Sequence, residues 1–347
     1  MGGMFMKKLF LMVFILTVIC SNIFSAGKLN VSTWGFNLDL LDKNISKPFF
    51  EKYGVEIVRE IGNNSVRLTK LISQKNNPVI DVVHFVDYYA ALALKNGLLQ
   101  PIDISKLSNY NDLYEFAKDP LGNHYGIGYT VYSLGIVYRT DKIKRPVTSW
   151  KDFWSEDVAD HISLPNITTT QGPALMMHFN KIFGQDAYDP ELNAAFEKVV
   201  QLSKNVVTFY NTSSELINLF KMGEVWMAPV TRFSWGQFLE TGLPLAWVIP
   251  EEGMLGFLNV VCIINGAKNM ESSYKYIDFI ISQEVQQAEA MDLVDSPVNV
   301  KVSVPPEIAE KLTYGKEHIN SLVFYDANFI VENYDRWIDK WNRMIAQ

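Results

Sequence analysis

Short apolar runs alternate with longer amphipathic stretches along the chain from Lys28 onwards. Apolar runs of this kind are typical of buried strands, and apolar positions three or four residues apart are typical of helices. In the first hundred residues the pattern predicts strands at 29–33, 55–59 and 79–85, and helices at 41–53, 65–73 and 88–96. Strands and helices that alternate at these lengths favour a mostly parallel sheet with helices on both faces.

The rest of the chain continues the alternation less regularly. It predicts strands at 134–138, 225–230, 245–249 and 260–264, and helices at 171–183, 190–203, 213–221, 233–240 and 272–291. The tail 329–345 places its apolar residues on one helical face, which predicts a helix packed on a core. No Pro-, Gly- or Ser-rich linker separates the halves, so we expect two α/β lobes between which the chain passes more than once.

The N-terminus differs from everything that follows it. Lys7 and Lys8 precede an apolar run over 9–19, and the first acidic residue of the chain is Asp39. A charged start followed by a short apolar run is typical of a secretory signal peptide, which we predict at 1–25. The run is shorter than the ~20 residues of a membrane-spanning helix. An alternative places a lipid anchor on Cys20, because residues 17–20 are similar to a lipobox, although Ile19 departs from the small residue usual there.

Composition and charge narrow the class of protein. The 347 residues are 48% hydrophobic and 20% charged with a net charge of −7, a globular composition without the basic surplus that binds nucleic acid. Removal of 1–25 takes away two lysines and no acid, leaving a net charge of −9. Cys262 then remains as a single thiol, so no internal disulfide forms and a large core must stabilise the fold.

Catalytic and metal-binding motifs are missing from the sequence. The five histidines are scattered, and neither a Cys-x-x-Cys pair nor a His-Glu-x-x-His motif supports a zinc site. No Gly-x-Ser-x-Gly elbow or Walker loop occurs, and Gly126-Ile127-Gly128 lacks the third glycine of a dinucleotide loop. We therefore predict no metal, no cofactor and no catalysis.

Several stretches resemble one family of exported proteins. The sequence DVV at 81–83 followed by GLLQPID at 97–103 resembles a signature of the extracellular solute-binding proteins of ABC importers, and within them the spermidine/putrescine-binding branch. Six further matches are similar to that branch: SWKDFW at 149–154, NVVTFY at 205–210, MGEVWMA at 222–228, PEEG at 250–253, GAKN at 266–269 and SPVN at 296–299. Together they cover almost all of the predicted mature chain.

The resemblance implies a two-lobed fold of the type II periplasmic binding-protein class, with a ligand cleft between the lobes. It implies a first lobe from 26–135 and 258–304 and a second from 136–257 and 305–347. Members of the family bind a small molecule outside the cytoplasmic membrane and deliver it to a membrane permease driven by a cytoplasmic ATPase. We expect a monomer that catalyses no reaction.

The ligand is harder to assign than the family, because expected acids are replaced. Polyamine recognition needs carboxylates for the ammonium ends and aromatic faces for the methylene stem. The resemblance carries over the cleft aromatics Trp34, Tyr88 and Phe257. Neutral side chains stand where the family carries acids, and these candidate ligand contacts are Asn37, Asn166, Thr168 and Asn259.

Two charged residues suggest a different ligand. Arg232 stands where relatives often have an aromatic, and a guanidinium in the cleft would favour a carboxylate or phosphonate. Asp295 stands at another aromatic position and would accept a hydrogen bond from an ammonium group. An arginine and an aspartate among neutral groups would suit a zwitterion. The predicted ligand is therefore polyamine-like or zwitterionic.

Two alternatives remain on the same scaffold. A ferric iron or anion-binding protein is one, and the adjacent tyrosines Tyr88 and Tyr89 are the candidate iron ligands, although consecutive helical side chains point about 100° apart. A thiaminase-like exported transferase is the other, and it needs a nucleophilic thiol in the cleft. Cys262 lies in a predicted buried strand, so its exposure decides between enzyme and binding protein.

Overall fold

Three parallel strands form the N-terminal part of the sheet in the computed structural model, which describes residues 27–345. The first strand pairs with the second along its whole length and with the third at its C-terminal half. The strands of the described chain are β1 (Gly27–Thr33), β2 (Val55–Ile61), β3 (Val82–Val86), β4 (Leu99–Gln100), β5 (Ile127–Arg139), β6 (Ile162–Pro165), β7 (Val206–Tyr210), β8 (Met227–Thr231), β9 (Leu245–Val248), β10 (Met254–Ile264) and β11 (Leu322–Val323). The alternation predicted for the first hundred residues is confirmed.

Helices cover the sheet and fill the connections. The α-helices between residues 27 and 345 are α1 (Leu38–Leu41), α2 (Lys47–Tyr53), α3 (Asn64–Ser73), α4 (Asp87–Lys95), α5 (Glu115–Lys118), α6 (Gly172–Ile182), α7 (Asn193–Ser203), α8 (Ser213–Met222), α9 (Trp235–Leu239), α10 (Met270–Ile280), α11 (Gln283–Met291), α12 (Pro306–Ala309), α13 (Lys316–Asn320) and α14 (Ala327–Met344). A π-helical turn, Asp42–Ser46, joins α1 to α2. None of these helices is long and apolar enough to cross a bilayer.

Two long strands connect the halves of the molecule. The strand order is β2-β1-β3-β10-β5-β8-β6-β7, with β5 and β10 at its centre. One half of β10 pairs with β3, whereas β5 pairs with β8 and β9 at its far end. A 13-residue strand spans roughly 40 Å, which is long enough to belong to two lobes.

The sheet as a whole is mixed, and the mostly parallel arrangement predicted from the first hundred residues holds for β1, β2 and β3. The pairs β3/β10, β10/β5 and β5/β8 are antiparallel, while β6 runs parallel to β7 and β8. Each lobe keeps the parallel pattern that its own alternation predicts. The two crossing strands run against their neighbours because the chain must pass from one lobe to the other and back.

Two large apolar cores lie on either side of the crossing. The first contains buried residues between 29 and 131 and between 258 and 298, and the second contains buried residues between 132 and 257. Along β5 the change of core falls between Val131 and Tyr132, and along β10 between Phe257 and Leu258. Separate cores of this size are what allow two lobes to move as units.

The terminal helix α14 packs on both cores. Its buried residues Ile330, Trp337 and Trp341 belong to the second core, whereas Ala327 and Val331 belong to the first. The amphipathic pattern predicted at 329–345 is confirmed, and the helix begins two residues earlier than predicted.

The long helix predicted at 272–291 is two helices. The first, α10, ends at Ile280, and the Ser282 hydroxyl then accepts a hydrogen bond from the Val285 backbone N–H at the start of α11. A serine that caps a helix start breaks the continuous pattern, because it favours extended backbone at its own position. This break turns α11 and places its inner face toward the end of β1.

Candidate functional site

Strand ends from both halves of the molecule meet at one crevice. β1 and β3 end at Thr33 and Val86, and β6, β7 and β8 end at Pro165, Tyr210 and Thr231. In open α/β sheets, ligands bind beyond the carboxyl ends of the parallel strands, because side chains of the following turns converge there. The residues after these strands therefore define the candidate site.

A first cavity lies entirely among residues of the first core's segments. We call it the lobe-1 cavity. It contains about 700 Å³ of free space, a figure that includes the solvent at its open mouth. Its lining side chains come from the end of β1, from β2, β3, β5 and β10, from α10 and α11, and from the loop after α11. Its polar and aromatic lining residues include Trp34, Arg59, Thr130, Asn259, Glu289 and Asp295.

Trp34 is held at the mouth of the lobe-1 cavity by a buried arginine. The Arg67 guanidinium carbon lies 4.8 Å from the centroid of the Trp34 ring and 4.8 Å from that of Phe85. Arg67 donates to the backbone carbonyls of Ser32 and His84 at 3.1 and 2.6 Å. Because these carbonyls belong to β1 and β3, Arg67 joins the two strands beneath the indole. The predicted aromatic at this turn thus lines the cavity.

A short polar chain connects Asn259 to Asp295. The Asn259 side-chain amide donates to the Thr130 hydroxyl at 2.8 Å, and that hydroxyl also hydrogen-bonds the Asp295 carboxyl. Desolvation and the charge of Glu289 raise the pKa of Asp295 well above its usual value, and the Thr130 hydrogen bond offsets part of this. The structure thus brings two predicted site residues, Asn259 and Asp295, into one cavity.

Glu289 was missed by sequence reasoning, and it is the second carboxylate of the lobe-1 cavity. It is 7% exposed, and its Oε1 accepts no hydrogen bond from any residue between 27 and 345. Burial raises its pKa to about 7, and the Asn44 amide offsets part of the shift. No sequence signal marks it, because a glutamate on an amphipathic helix is ordinarily a surface residue.

The inner wall of the lobe-1 cavity is formed by uncharged rings. His84 Nε2 and the Tyr276 hydroxyl are 3.0 Å apart, and the His84 ring packs edge-on against Tyr129 at 4.6 Å between centroids. Burial lowers the pKa of His84 to about 3, so the imidazole is neutral at physiological pH. The positive side chain at this wall, Arg59, donates to Asp42 and Ser46.

A second cavity, the interlobe cavity, joins the two halves. Tyr88, Tyr89 and Tyr334 line one side of it, and the turn 168–171 with Asn211 lines the other. It encloses about 530 Å³ of free space. The predicted residues Tyr88 and Thr168 thus line the same space. Tyr88 also contacts Tyr334, with ring centroids 5.1 Å apart.

Asn166 shapes the turn that carries Thr168 instead of facing a cavity. Its Oδ1 accepts hydrogen bonds from the Thr168 backbone N–H and hydroxyl at 3.0 and 2.9 Å. The Asn166 backbone N–H in turn donates to the Tyr210 carbonyl at 2.9 Å. This is an Asx turn, in which the asparagine side chain fixes the next two residues. Asn166 is therefore a positioning residue for Thr168.

Between the lobes, a stack of rings lies near the partly buried carboxylate of Asp87. Phe257 stacks on Tyr132 with centroids 5.3 Å apart, and Tyr132 contacts the edge of Phe233, which is 64% exposed. Asp87 accepts hydrogen bonds from the backbone N–H groups of Tyr88 and Leu258, while desolvation raises its pKa to about 6. Phe257 is buried in this stack and lines none of the cavities described here.

A third space, the lobe-2 cavity, adjoins the interlobe cavity. It shares Gln171 and Asn211 with that cavity and continues to Thr231 and Phe233. It encloses about 590 Å³ of free space, and its lining is more polar than apolar. Phe233 is exposed at this cavity, so an aromatic face is available on the lobe-2 side beside the residue predicted as a clamp.

Arg232 corrects the prediction of an anion clamp in the cleft. It is 5% exposed, and its guanidinium donates to the backbone carbonyls of Glu310 and Leu312. The guanidinium carbon also lies 4.6 Å from the centroid of the Trp247 ring. Arg232 lines none of the three cavities. The sequence placed it in the cleft because relatives often have an aromatic at this position, but in the structure its side chain packs against Trp247.

Asn37 is exposed on the turn between β1 and α1. Its backbone has a φ of 54°, a left-handed conformation that asparagine tolerates. It lines none of the three cavities. Its neighbour Phe36 is 55% exposed and does line the lobe-1 cavity. The turn therefore presents an aromatic ring where sequence reasoning placed an amide.

The residues offered for the alternative functions are placed as follows. Cys262 is fully buried, and burial raises the pKa of its thiol well above the usual value. A buried neutral thiol is no nucleophile, which removes the residue that a thiaminase-like transferase requires.

Tyr88 and Tyr89, the candidate iron ligands, have ring planes at 87° to each other. Within residues 27–345, no three His, Cys, Asp or Glu side chains are grouped so as to hold a metal ion. Cys20 and the predicted signal peptide lie outside the described residues.

Two lobes with crossing strands and a polar, aromatic cleft define a solute-binding protein. The chain belongs to the bacterial extracellular solute-binding protein family, whose model matches residues 44–314. The predicted family and fold class are confirmed, and the chain is the solute-binding component of an ABC transporter. This family role means binding a small molecule and delivering it to a permease, which is not an enzymatic activity.

Relatives and solved structures agree with this assignment. The chain is 28% identical over 270 residues to the spermidine/putrescine-binding periplasmic protein of Salmonella typhimurium. The aligned region covers 75% of this chain and 76% of the relative. It is 36% identical to a crystal structure of an ABC transporter protein from Clostridium perfringens, with a TM-score of 0.86, covering 91% of this chain and 99% of that one. A spermidine/putrescine substrate-binding protein from Streptococcus pneumoniae shares the fold at 22% identity and a TM-score of 0.73, covering 92% and 100%.

Proposed function

We propose that this protein captures a small nitrogenous solute, polyamine-like or zwitterionic, in the cleft between its lobes. The observation that carries the proposal is the Asp295 carboxyl, which faces the same cavity as the Trp34 ring. A carboxylate beside aromatic faces is the arrangement that binds an ammonium group, through a charge-assisted hydrogen bond and cation–π attraction. The curated relatives named for what they bind carry spermidine or putrescine in their names.

Between the two ligand classes, the contacts favour a cationic amine. The zwitterion hypothesis needs a guanidinium in the cleft, and Arg232 is committed to the carbonyls of Glu310 and Leu312. Thr168 and Asn259 line the cavities where polyamine binders carry acids, which leaves fewer acids than two or three ammonium ends require. A solute with one ammonium end and a neutral or weakly polar remainder fits this lining better than a long polyamine.

Closure of the lobes completes the site in this proposal. The first lobe comprises residues 26–135 and 258–304, and the second comprises 136–257 and 305–347. Binding in lobe 1 would be followed by approach of Phe233 and the turn 168–171 from lobe 2.

The protein acts as a monomer, because each chain carries both halves of the cleft. It functions outside the cytoplasmic membrane, as its periplasmic relatives do, either as a soluble protein after removal of 1–25 or anchored by lipid at Cys20.

A ligand screen tests the proposal. Thermal-shift measurements followed by calorimetric titration are made with putrescine, spermidine, 4-aminobutanoate and 2-aminoethylphosphonate. A ligand that binds only the folded state raises the unfolding temperature by mass action. We expect at least one of the four to raise it and to bind with defined stoichiometry. Binding of ferric citrate or a sugar phosphate, with no response to any of the four amines, would contradict the proposal.

A further inference from the structure

The lobe-1 cavity contains a buried carboxylate, Glu289, and the nearby cation Arg59 forms its salt bridge with Asp42. Glu289 lies on the inner face of α11, is 7% exposed and lines the cavity. Its Oε1 receives no hydrogen bond from the described part of the chain. A carboxylate oxygen removed from water without a partner is costly, so such a group in a binding protein marks a place that a ligand's donor completes.

A second acid lies beside it. Asp295 lines the same cavity as Glu289, and the charge of Glu289 contributes to the raised pKa of Asp295. Thr130 donates one hydrogen bond toward Asp295, and no lysine lines the cavity. When two neighbouring acids are desolvated and no cation is present, their ionised forms are disfavoured. A bound cation stabilises the ionised forms.

The charged side chain at the wall is already neutralised. Arg59 lines the cavity, but its Nη1 donates to Asp42 and its Nη2 to Ser46. His84 is neutral, because burial and the charge of Arg67 lower its pKa. With Arg59 offset by Asp42, the remaining titratable carboxyl groups of the lining are Glu289 and Asp295. The ionised lining therefore carries an excess of negative charge, as a site that binds a cation does.

Aromatic rings and a rigid support surround the two acids. Trp34, Tyr129 and Tyr276 line the same cavity, and ring faces attract a desolvated cation. Gln286, one turn before Glu289 on α11, donates to the Tyr129 carbonyl at 2.7 Å and accepts from the Val298 backbone N–H at 2.8 Å. This side chain fixes the loop that carries Asp295 to the helix that carries Glu289, so the pair is pre-organised.

We propose that Glu289 and Asp295 form a subsite for a primary ammonium group of the solute, built from lobe 1 alone and available before the cleft closes. The inference rests on the proposed function and deepens it, because it names the two groups that recognise the amine. All lining residues of the cavity fall between 33 and 130 or between 259 and 297. The open protein can therefore hold the ammonium end while the remainder of the solute points toward lobe 2.

The test compares three variants with the full-length mature protein. Glu289→Gln and Asp295→Asn remove one charge each with little change of shape. Glu284→Gln is the matched control, because Glu284 is exposed on the same helix. Binding of putrescine, spermidine and 4-aminobutanoate is measured by calorimetry at pH 8. The unfolding temperature of each ligand-free variant is measured first, to establish that it is folded.

The subsite predicts a specific pattern of affinities. For the amine that binds the wild-type protein, Glu289→Gln and Asp295→Asn each weaken binding at least about tenfold, while Glu284→Gln stays within about twofold. If an amine binds and Glu289→Gln stays within twofold, the subsite is wrong and the proposed function stands. If the wild-type protein binds none of these three amines and no 2-aminoethylphosphonate either, both proposals are rejected.

A pH titration separates direct charge recognition from a structural effect. The amines keep their proton between pH 6 and 8, whereas Glu289 has a pKa of about 7 in the free protein. Groups facing it are Arg59 on β2, Tyr129 on β5, Tyr276 on α10, and Asp292 and Asp295 after α11. Wild-type affinity should rise as the pH increases from 6 to 8, and Glu289→Gln should flatten this rise. An equally steep rise in that variant would overturn the assignment.

Discussion

The Arg67 guanidinium lies between the rings of Trp34 and Phe85, with its central carbon 4.8 Å from each centroid. Its donors reach the Ser32 carbonyl near the end of β1 and the His84 carbonyl in the middle of β3, so one buried side chain joins two strands and supports the aromatic wall of the candidate site. The residues beneath the candidate site are thus held in place by specific hydrogen bonds of their own.

Arg67→Lys should destabilise the fold and weaken ligand binding together. Lysine keeps the positive charge, but a single ammonium cannot reproduce the planar set of donors that now reaches Gly62, Ser32, His84 and Asn64. We expect a loss of about 2 kcal/mol or more in the free energy of unfolding, measured by urea denaturation. Val66→Ala, an exposed neighbour on α3, is the control and should change little. Unchanged stability of the lysine variant would show that the hydrogen-bond fork is dispensable.

Glu289 should make the ligand-free protein less stable as the pH rises. Its pKa is raised from 4.5 to about 7, so the folded state holds a proton that the unfolded state releases. The stability of the folded state therefore falls as the pH increases through this range, by roughly 3 kcal/mol when the shift is taken in full. Glu289→Gln should show a smaller fall between pH 5 and 7.5 in denaturant titrations. Identical pH profiles for the two proteins would refute the assigned ionisation.

Arg232→Lys should affect stability and leave ligand affinity nearly unchanged. The guanidinium packs over Trp247 and donates to two backbone carbonyls outside the cavities. A lysine loses this geometry, and we expect a decrease of about 1 to 3 kcal/mol in unfolding free energy. The affinity for the amine identified by calorimetry should stay within about threefold. A large affinity loss without a stability loss would restore Arg232 as a ligand contact.

Cys262 should be unreactive in the folded protein. The thiol is fully buried within β10, and burial keeps it protonated. A thiol-specific colorimetric reagent should modify it only after unfolding in guanidinium chloride. Cys262→Ala should retain ligand binding, because the side chain lies outside the cavities. Rapid modification of the native protein would instead revive the enzyme alternative.

Gly172→Ala should be strongly destabilising although alanine favours helices. A Cβ on Gly172 would lie 2.4 Å from the Asn166 carbonyl oxygen and 2.6 Å from the Ile167 Cα. Backbone atoms cannot move aside as side chains do, so the start of α6 and the turn that carries Thr168 must shift. We expect a loss of about 2 kcal/mol or more.

Gly236→Ala is the matched control for this substitution. Gly236 lies inside α9, and a Cβ added there would meet no atom within 4 Å. The alanine should stabilise the protein by up to about 1 kcal/mol through helix propensity. Equal effects of the two substitutions in thermal unfolding would show that the close approach at Gly172 does not constrain the turn.

Local pattern predicted most elements, because each needs only its own periodicity. The strands at 29–33 and 55–59 and the helix at 213–221 are found almost where expected. The prediction of one helix at 272–291 was wrong at Ser282. A cap is a single residue, and the pattern of apolar residues does not reveal it. The direction of β5 and β10 relative to their neighbours also lay beyond local pattern.

The site was predicted in part, for a similar reason. Trp34, Asn259 and Asp295 share one cavity, and Tyr88 and Thr168 share another, as strand ends and family motifs led us to expect. Arg232, which also follows a strand, turns its guanidinium to backbone carbonyls 78 and 80 residues away in sequence. Position after a strand predicts the neighbourhood of a side chain and not its rotamer.

By itself the sequence determined the α/β alternation, the acidic charge, the single thiol of the predicted mature chain and the motifs of an importer's binding protein. Those properties belong to the order and type of residues along the chain. Tertiary structure alone decided that Glu289 lines a cavity with Asp295 and has one carboxylate oxygen without a hydrogen bond from the described residues, and that the Arg232 guanidinium donates to backbone carbonyls outside the cavities. The physical reason is that charge energetics depend on burial and on neighbours distant in sequence, which exist only once the chain has folded.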